Sequence, residues 1–214
     1  MATSSRRTRR WVTPVVAAGL LAAIIAPLTL AHSSAGSRVA DGGARAARST
    51  VAGGFSWLES APPPPGWRTV TIASGGATLR YPPSWRPIPG DKGTVTAALR
   101  DAKGLYRGYL NVTPRQGAEH LAGWAAFRTG RNASEGDTRV REDAAAEGLR
   151  LGNARASCVI DDYLSRVGSH AYRELACIVA GPRFTNVFVG AVLVSDWPTL
   201  AGTIEHAASA LIER

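Results

Sequence analysis

Two apolar segments decide the fold, 156-ASCVIDDYLS-165 and 170-HAYRELACIVA-180, with Val167-Gly168 at the midpoint between them. Their composition and the central glycine predict the two strands of a β-hairpin. If each position i faces position 335 − i, one face of the hairpin holds a cysteine pair, an apolar pair and an opposite-charge pair: Cys158 with Cys177, Ile160 with Leu175, and Asp162 with Arg173. The opposite face pairs Tyr163 with Tyr172 favourably. It also pairs Asp161 with Glu174, and this like-charge pair counts against the register.

Cys158 and Cys177 are the only cysteines of the chain. Facing each other in an oxidising compartment, they are expected to form a structural disulfide. Closing a loop of roughly 20 residues would stabilise the fold by about 3 kcal/mol. The alternative is a nucleophilic or redox-active thiol. Such a thiol needs an electropositive environment, and the neighbouring Asp161 and Asp162 work against it.

An export segment precedes the folded part. Four arginines at positions 6, 7, 9 and 10 are followed by 21 residues, 11–31, without a charged side chain. At about 1.5 Å per residue, these residues form a helix of roughly 30 Å, long enough to cross a membrane. The arginines keep the N-terminus in the cytoplasm, so the rest of the chain lies outside. Residues 1–31 are either a membrane anchor, which we favour, or a signal peptide. In the second case cleavage near Ala31 or Ala35 would release the rest of the chain as a secreted protein.

Residues 32–65 are predicted to form a disordered linker. They are rich in Ala, Gly, Ser and Arg and end in the stiff run Pro62–Pro65. Phe55, Trp57 and Leu58 are its only apolar island, and they could dock on the domain. Much of the net charge of +9 lies in the first 50 residues, whereas residues 66–214 carry 18 basic and 14 acidic residues. A folded domain with so small an excess of positive charge is not a nucleic-acid-binding protein.

The folded domain is expected to span residues 66–214 and to be an α+β domain, with an antiparallel β-sheet packed by two helices. We predict strands at residues 69–73, 77–81, 94–99 and 108–113, followed by a helix from Leu121 to a cap at Gly130 and a loop at 131–137. Residues 138–151 are ambiguous, with a strand predicted at each end. After the hairpin, residues 184–194 are expected to form a central strand. Asp196 is predicted to cap a final helix that has Pro198 in its first turn.

The motif Tyr81-Pro-Pro-Ser-Trp85 ends the second strand, since neither proline can donate to a strand ladder. This motif, together with the long sheet run and the closing helix, resembles the PsbP-like fold. The domain looks most like the LpqN/LpqT-type exported proteins of high-GC bacteria. It departs from the lipoprotein members because it lacks the lipidated cysteine. The resemblance implies an accessory or binding role and supplies no catalytic residues.

No residue pattern in the chain predicts catalysis, a cofactor or a metal site. His120, His170 and His206 are scattered, although His170 could form a site with Asp161 or Glu174. The tryptophans Trp67, Trp85, Trp124 and Trp197 either belong to the core or line a ligand cleft.

These observations favour a non-enzymatic envelope protein, tethered to the cell membrane through residues 11–31. Its expected partner is an envelope protein, a wall component or a small apolar ligand. The alternatives are a small extracytoplasmic hydrolase, whose residues only the fold brings together, and a structural spacer without a specific ligand.

Overall fold

A computed structural model describes residues 52–213. Within these residues the chain forms ten strands and two α-helices. The strands are β1 (Arg68–Thr71), β2 (Ala77–Tyr81), β3 (Arg86–Ile88), β4 (Val95–Arg100), β5 (Tyr106–Pro114), β6 (Thr138–Leu151), β7 (Ala154–Leu164), β8 (Ala171–Ala180), β9 (Thr185–Leu193) and β10 (Ile212–Glu213). The helices are α1 (Trp124–Ser134) and α2 (Trp197–Ser209).

The strands form two antiparallel sheets. The larger has the order β3-β4-β5-β9-β8-β7-β6, and the smaller has the order β1-β2-β10. The expected α+β class, an antiparallel arrangement with two helices, is confirmed, although the strands divide into two sheets. Strand β9 lies in the middle of the larger sheet, as its apolar sequence predicts.

The register predicted for the decisive hairpin is confirmed. Cys158 faces Cys177 across β7 and β8, and Asp162 faces Arg173. The unfavourable Asp161–Glu174 pair is also present. The like charges therefore do not change the register.

The two faces of the larger sheet pack against different elements. One face joins the smaller sheet and α2 in an apolar core that includes Leu79, Trp85, Leu175, Phe188 and Ile204. Gly190 on β9 allows α2 to approach closely, because a Cβ atom there would lie 2.5 Å from Cγ2 of Ile204. The opposite face packs against α1 through a second cluster around Trp124.

The first helix differs from its prediction at both ends. It begins at Trp124 and runs through Gly130 to Ser134, so residues 131–134 are helical and do not belong to a loop. Gly130 has open space around it and is tolerated within the helix at a cost of about 1 kcal/mol. The chain leaves the helix at Gly136, whose φ of +96° is the left-handed conformation that favours glycine.

Residues 138–151 form one strand, β6, where the sequence predicted two. Its pairing with β7 shifts at three places, between Thr138 and Arg141, between Glu142 and Ala144, and between Ala146 and Leu149. Such bulges interrupt the alternation of side chains along a strand, which explains the ambiguous sequence pattern.

Asp196 precedes α2 as predicted, with Pro198 in the first turn, but its side chain makes no capping hydrogen bond. The carboxylate instead accepts from Nε of Arg107 at 2.9 Å.

The apolar island of the predicted linker packs on the domain. Residues Ala52–Phe55 form a 3-10 turn, and the side chains of Phe55 and Leu58 are buried in the main core. The packed core therefore begins before residue 66, and the described part of the linker is ordered where these side chains dock. The predicted membrane segment at residues 11–31 lies outside the described residues. Among residues 52–213, no helix is long and apolar enough to cross a membrane.

Candidate functional site: a cleft beside helix α1

A cleft of about 490 Å³ opens between α1 and the strands β4, β5 and β9. Helix α1 packs on β6 and β7, so it covers one half of this face of the larger sheet. Beside it, the side chains of β4 and β5 that point to the same face reach solvent. The cleft therefore has a floor made by the sheet and a wall made by the helix.

The floor is polar. Nδ2 of Asn111 donates to Oγ1 of Thr96 at 2.7 Å, and Oγ1 of Thr113 donates to Oδ1 of Asn111 at 2.8 Å. All three side chains are partly buried and line the cleft. Because each holds the next in place, they present hydrogen-bonding groups in fixed positions, as a binding site requires.

The wall combines two aromatic side chains, Trp124 and Phe127, with the charged side chains of Arg128, Arg131 and Glu135. Trp124 and Phe127 of α1 stack with their ring centroids 5.8 Å apart, and Val187 and Val189 of β9 lie at the base of the wall. Nε1 of Trp124 donates to the carbonyl oxygen of Ala176 at 2.9 Å, which ties the start of the helix to β8. Trp124 is thus fixed against the sheet.

A buried ion pair lies at the inner end of the cleft. Arg128 of α1 donates from Nε and Nη2 to the two carboxylate oxygens of Glu174, at 2.5 and 2.9 Å. Glu174 is fully buried, whereas 16 % of the Arg128 side chain is exposed. Burial lowers the pKa of Arg128, but the attraction and hydrogen bonds of Glu174 outweigh it and raise the pKa overall. Arg128 therefore remains a cation and compensates the charge that the sheet buries.

Two tyrosines complete this cluster. The hydroxyl of Tyr109 lies 3.1 Å from that of Tyr163 and donates to Oε2 of Glu174 at 3.4 Å. Burial, reinforced by the charge of Glu174, raises the pKa of Tyr109. Tyr109 also lines the cleft, as Arg128 does. It is therefore a neutral hydrogen-bonding group and not a base.

Asp161 lies behind the ion pair and is fully buried. Its Oδ2 accepts from Nδ2 of Asn132 at 3.3 Å, and its Oδ1 has no partner among the described residues. Burial, followed by repulsion from Glu174, raises the pKa of Asp161 to about 8. Below that pH the carboxyl is neutral, which removes the clash with Glu174 that the sequence revealed.

The predicted disulfide is present, with Cys158 and Cys177 joined across β7 and β8. The bond is buried in the main core, on the face of the sheet away from the cleft. The alternative of a reactive thiol is wrong, because the described residues contain no free cysteine.

The histidines are not brought together with the buried carboxylates. His120 is exposed in the loop before α1, His206 is exposed on α2, and His170 lies at the turn between β7 and β8. Glu174 is paired with Arg128, so the suggested site of His170 with Asp161 or Glu174 is not formed. Within residues 52–213, no group of three or more His, Cys, Asp or Glu side chains is arranged to hold a metal ion.

The tryptophans divide between the two alternatives. Trp124 lines the cleft, and Trp85 is fully buried in the main core. Trp67 and Trp197 are partly buried and pack against the main core. The suggested cleft lined by all four tryptophans is therefore not formed.

Sequence reasoning missed the role of Arg128. In the sequence, Arg128 falls on the same stripe of the helix as Leu121, Trp124 and Ala125. A charged residue on an otherwise apolar stripe indicates a buried ion pair. The unbalanced Asp161–Glu174 pair was the matching signal on the sheet. Neither signal alone identifies the partner, since the packing of α1 on β7 brings them together.

The fold is PsbP-like. The domain superimposes on cyanobacterial PsbP (CyanoP) from Synechocystis with a TM-score of 0.51 and 17% identity, over 70% of this chain and 93% of that protein. LpqN of Mycobacterium tuberculosis, described as involved in cell envelope biogenesis, matches with a TM-score of 0.42 and 16% identity over 68% and 88% of the two chains. A Pseudomonas aeruginosa protein of unknown function matches with a TM-score of 0.46 and 12% identity, over 69% of this chain and 97% of that protein. No family model and no curated protein matches the sequence.

Proposed function

We propose that this chain is an exported, membrane-tethered envelope protein whose domain binds a partner or ligand in the cleft beside α1 without transforming it. The observation that carries the proposal is the half-covered face of the larger sheet. There the hydrogen-bonded side chains of Thr96, Asn111 and Thr113 on the sheet face the stacked rings of Trp124 and Phe127 on α1, in a volume of about 490 Å³. This size lies in the range of small-molecule sites, roughly 300–1,000 Å³.

Export is supported by two independent features. The sequence supplies four arginines ahead of the uncharged residues 11–31. The domain contains the Cys158–Cys177 disulfide, and such bonds persist in oxidising compartments outside the cytoplasm. A tether is consistent with the composition of the residues after position 31, which are rich in Ala, Gly, Ser and Arg and precede the domain.

A non-catalytic role is supported by how the titratable groups are placed. General acid–base catalysis needs a carboxyl or imidazole within hydrogen-bond reach of the substrate. Asp161 and Glu174 are fully buried behind Arg128, and the three histidines lie at separate places outside the cleft lining. Of the carboxylates that do line the cleft, Glu135 is paired with Arg131 and Glu119 accepts from the backbone N–H of Gln116, which leaves the exposed Asp91. The cleft wall and floor thus offer hydrogen bonds and apolar contact. Hydrolysis of an ester, peptide or glycan by the purified full-length protein, lost on blocking the cleft, would refute this role.

Photo-crosslinking in the native cells tests the binding site. Benzoylphenylalanine replaces Phe127 in the cleft wall or, as a matched control, Phe184, which is 38 % exposed in the β8–β9 turn. We expect irradiation to attach one defined species to the protein labelled at position 127 and none to the control. Equal labelling at both positions, or no attachment at position 127, would refute the cleft as the site and would favour the spacer hypothesis.

A further inference from the structure

Arg128 keeps one donor edge for a ligand. Its Nε and Nη2 are both used by Glu174, and no described residue accepts a hydrogen bond from Nη1. The side chain is partly exposed and lines the cleft. Because a guanidinium has donors only, whatever binds there must present an acceptor. Glu174 holds the guanidinium in place, so this donor is pre-positioned.

The charges of the lining favour an uncharged ligand. Arg128 is compensated by Glu174, and Arg131 by Glu135, whose Oε1 lies 2.6 Å from its Nε. The remaining charged groups in the lining are the carboxylates Asp91 and Glu119. An anion would be repelled by these carboxylates with no uncompensated cation to offset them. A cation would be attracted to the carboxylates but could not accept the hydrogen bond that Nη1 of Arg128 offers. A neutral acceptor can take that hydrogen bond without being repelled by the carboxylates.

The floor supplies both a donor and an acceptor. The hydroxyl oxygen of Thr96 accepts a hydrogen bond from Nδ2 of Asn111, so the O–H of Thr96 remains available to donate to a ligand. The hydroxyl of Thr113 donates its hydrogen bond to Oδ1 of Asn111, so its oxygen remains free to accept a hydrogen bond from a ligand. An amide has the matching pair of groups, a carbonyl acceptor and an N–H donor.

We propose that the cleft binds an uncharged amide, with its carbonyl oxygen on Nη1 of Arg128, its N–H on the Thr96–Asn111–Thr113 floor and its apolar group against Phe127. This proposal rests on the proposed function, because it assigns a ligand class to the same cleft. An amide attached to a rigid apolar group is the simplest ligand of this class. Longer peptides or acylated amines would place the same amide group in the cleft.

Four probes that share a phenyl ring test the ligand class. Benzamide, benzyl alcohol, benzoate and benzylammonium are titrated into isotope-labelled full-length protein in detergent micelles, and the backbone signals of β5 and α1 are followed by NMR. We expect benzamide to bind at least about tenfold more tightly than either charged probe, a difference of roughly 1.4 kcal/mol. The lining carboxylates repel benzoate, and benzylammonium has no acceptor for Nη1 of Arg128. It should also bind more tightly than benzyl alcohol, which presents no carbonyl. Equal or tighter binding of any other probe would overturn the amide assignment.

The double variant Arg128→Met/Glu174→Gln removes the donor without leaving a buried charge unpaired. We expect it to lose the preference for benzamide over benzyl alcohol, whereas Arg155→Met, an exposed control on β7, keeps it. A double variant that keeps the preference would overturn the role of Arg128. If no probe shifts the cleft signals while crosslinking from position 127 still succeeds, the amide assignment alone fails. If crosslinking fails as well, the proposed function fails with it.

Discussion

The two faces of the larger sheet are built from the same strands but differ in composition. Across β7 and β8, one face pairs Cys158 with Cys177, sealed in an apolar core under α2 and the smaller sheet. Three residues further along, the other face pairs Asp161 with Glu174 beneath α1. Buried carboxylates cost stability unless they are paired or protonated. The difference indicates that the first face maintains the fold, whereas the second retains polar groups next to the cleft.

The largest expected effect compares an aromatic residue from each face. Phe188 is fully buried on the core face, and Phe127 is partly buried in the cleft wall. We expect Phe188→Ala to lower the free energy of unfolding by about 4 kcal/mol, because it leaves a large cavity. Phe127→Ala should cost about 1 kcal/mol, since solvent already reaches its ring. Chemical unfolding of the full-length protein measures both, and equal losses would contradict the division of roles between the faces.

The next effect concerns the ion pair. Arg128→Ala leaves Glu174 buried without a cation, and we expect a loss of about 3 kcal/mol. The double variant Arg128→Met/Glu174→Gln removes both charges, so it should recover most of that loss. Breaking the exposed i,i+4 pair with Arg131→Ala is the control, and its cost should stay below about 1 kcal/mol. A double variant as unstable as Arg128→Ala would show that charge compensation is not the cause.

The last effect is the pH dependence of Asp161. Its pKa is raised to about 8 in the fold, compared with about 4 in an unfolded chain. The folded state therefore keeps a proton that the unfolded state loses, and this contribution to stability, complete below about pH 4, is lost as the pH rises through about 8. We expect the stability of Asp161→Asn relative to the wild type to increase progressively between pH 4 and pH 8 and to level off above pH 8. Chemical unfolding of both proteins at several pH values measures this gain.

Asp162, the next residue, provides a control of opposite sign. The hydrogen bond from Arg173 is the main cause that lowers the pKa of Asp162. Its contribution to stability is present above the unfolded pKa and is lost as the pH falls. Asp162→Asn should therefore destabilise the protein at neutral pH and have a smaller effect in acid. Parallel pH profiles for the two variants would contradict the assignment of Asp161 as the raised group.

Much of the hairpin and sheet follows from sequence alone. The pairing of Cys158 with Cys177 and of Asp162 with Arg173 about the Val167-Gly168 turn predicts the register of β7 and β8, because a shift by one residue would break both pairs. The short strands β3 and β10 escape prediction, since three and two residues carry no periodicity. Their strand conformation depends on pairing with β4 and β2.

The candidate site was predictable only in its parts. Asp161–Glu174 was visible as an unbalanced pair, and Arg128 as a charge on an apolar stripe. The cleft itself depends on where α1 lies across the sheet, and on how much of β4 and β5 it leaves uncovered. That placement is set by tertiary packing, such as the contact of Trp124 with β8, which has no local sequence signature.

The most direct test of the binding cleft is the native, non-reducing mass of the full-length protein isolated from its own cells. Three proteins are compared: the wild type, Thr113→Trp, which fills the cleft floor, and Thr69→Trp, a control exposed on β1. We predict a defined extra mass on the wild type and on the control that is lost from Thr113→Trp. An extra mass unchanged by Thr113→Trp, or none on the wild type, would contradict the assignment of the cleft as the binding site.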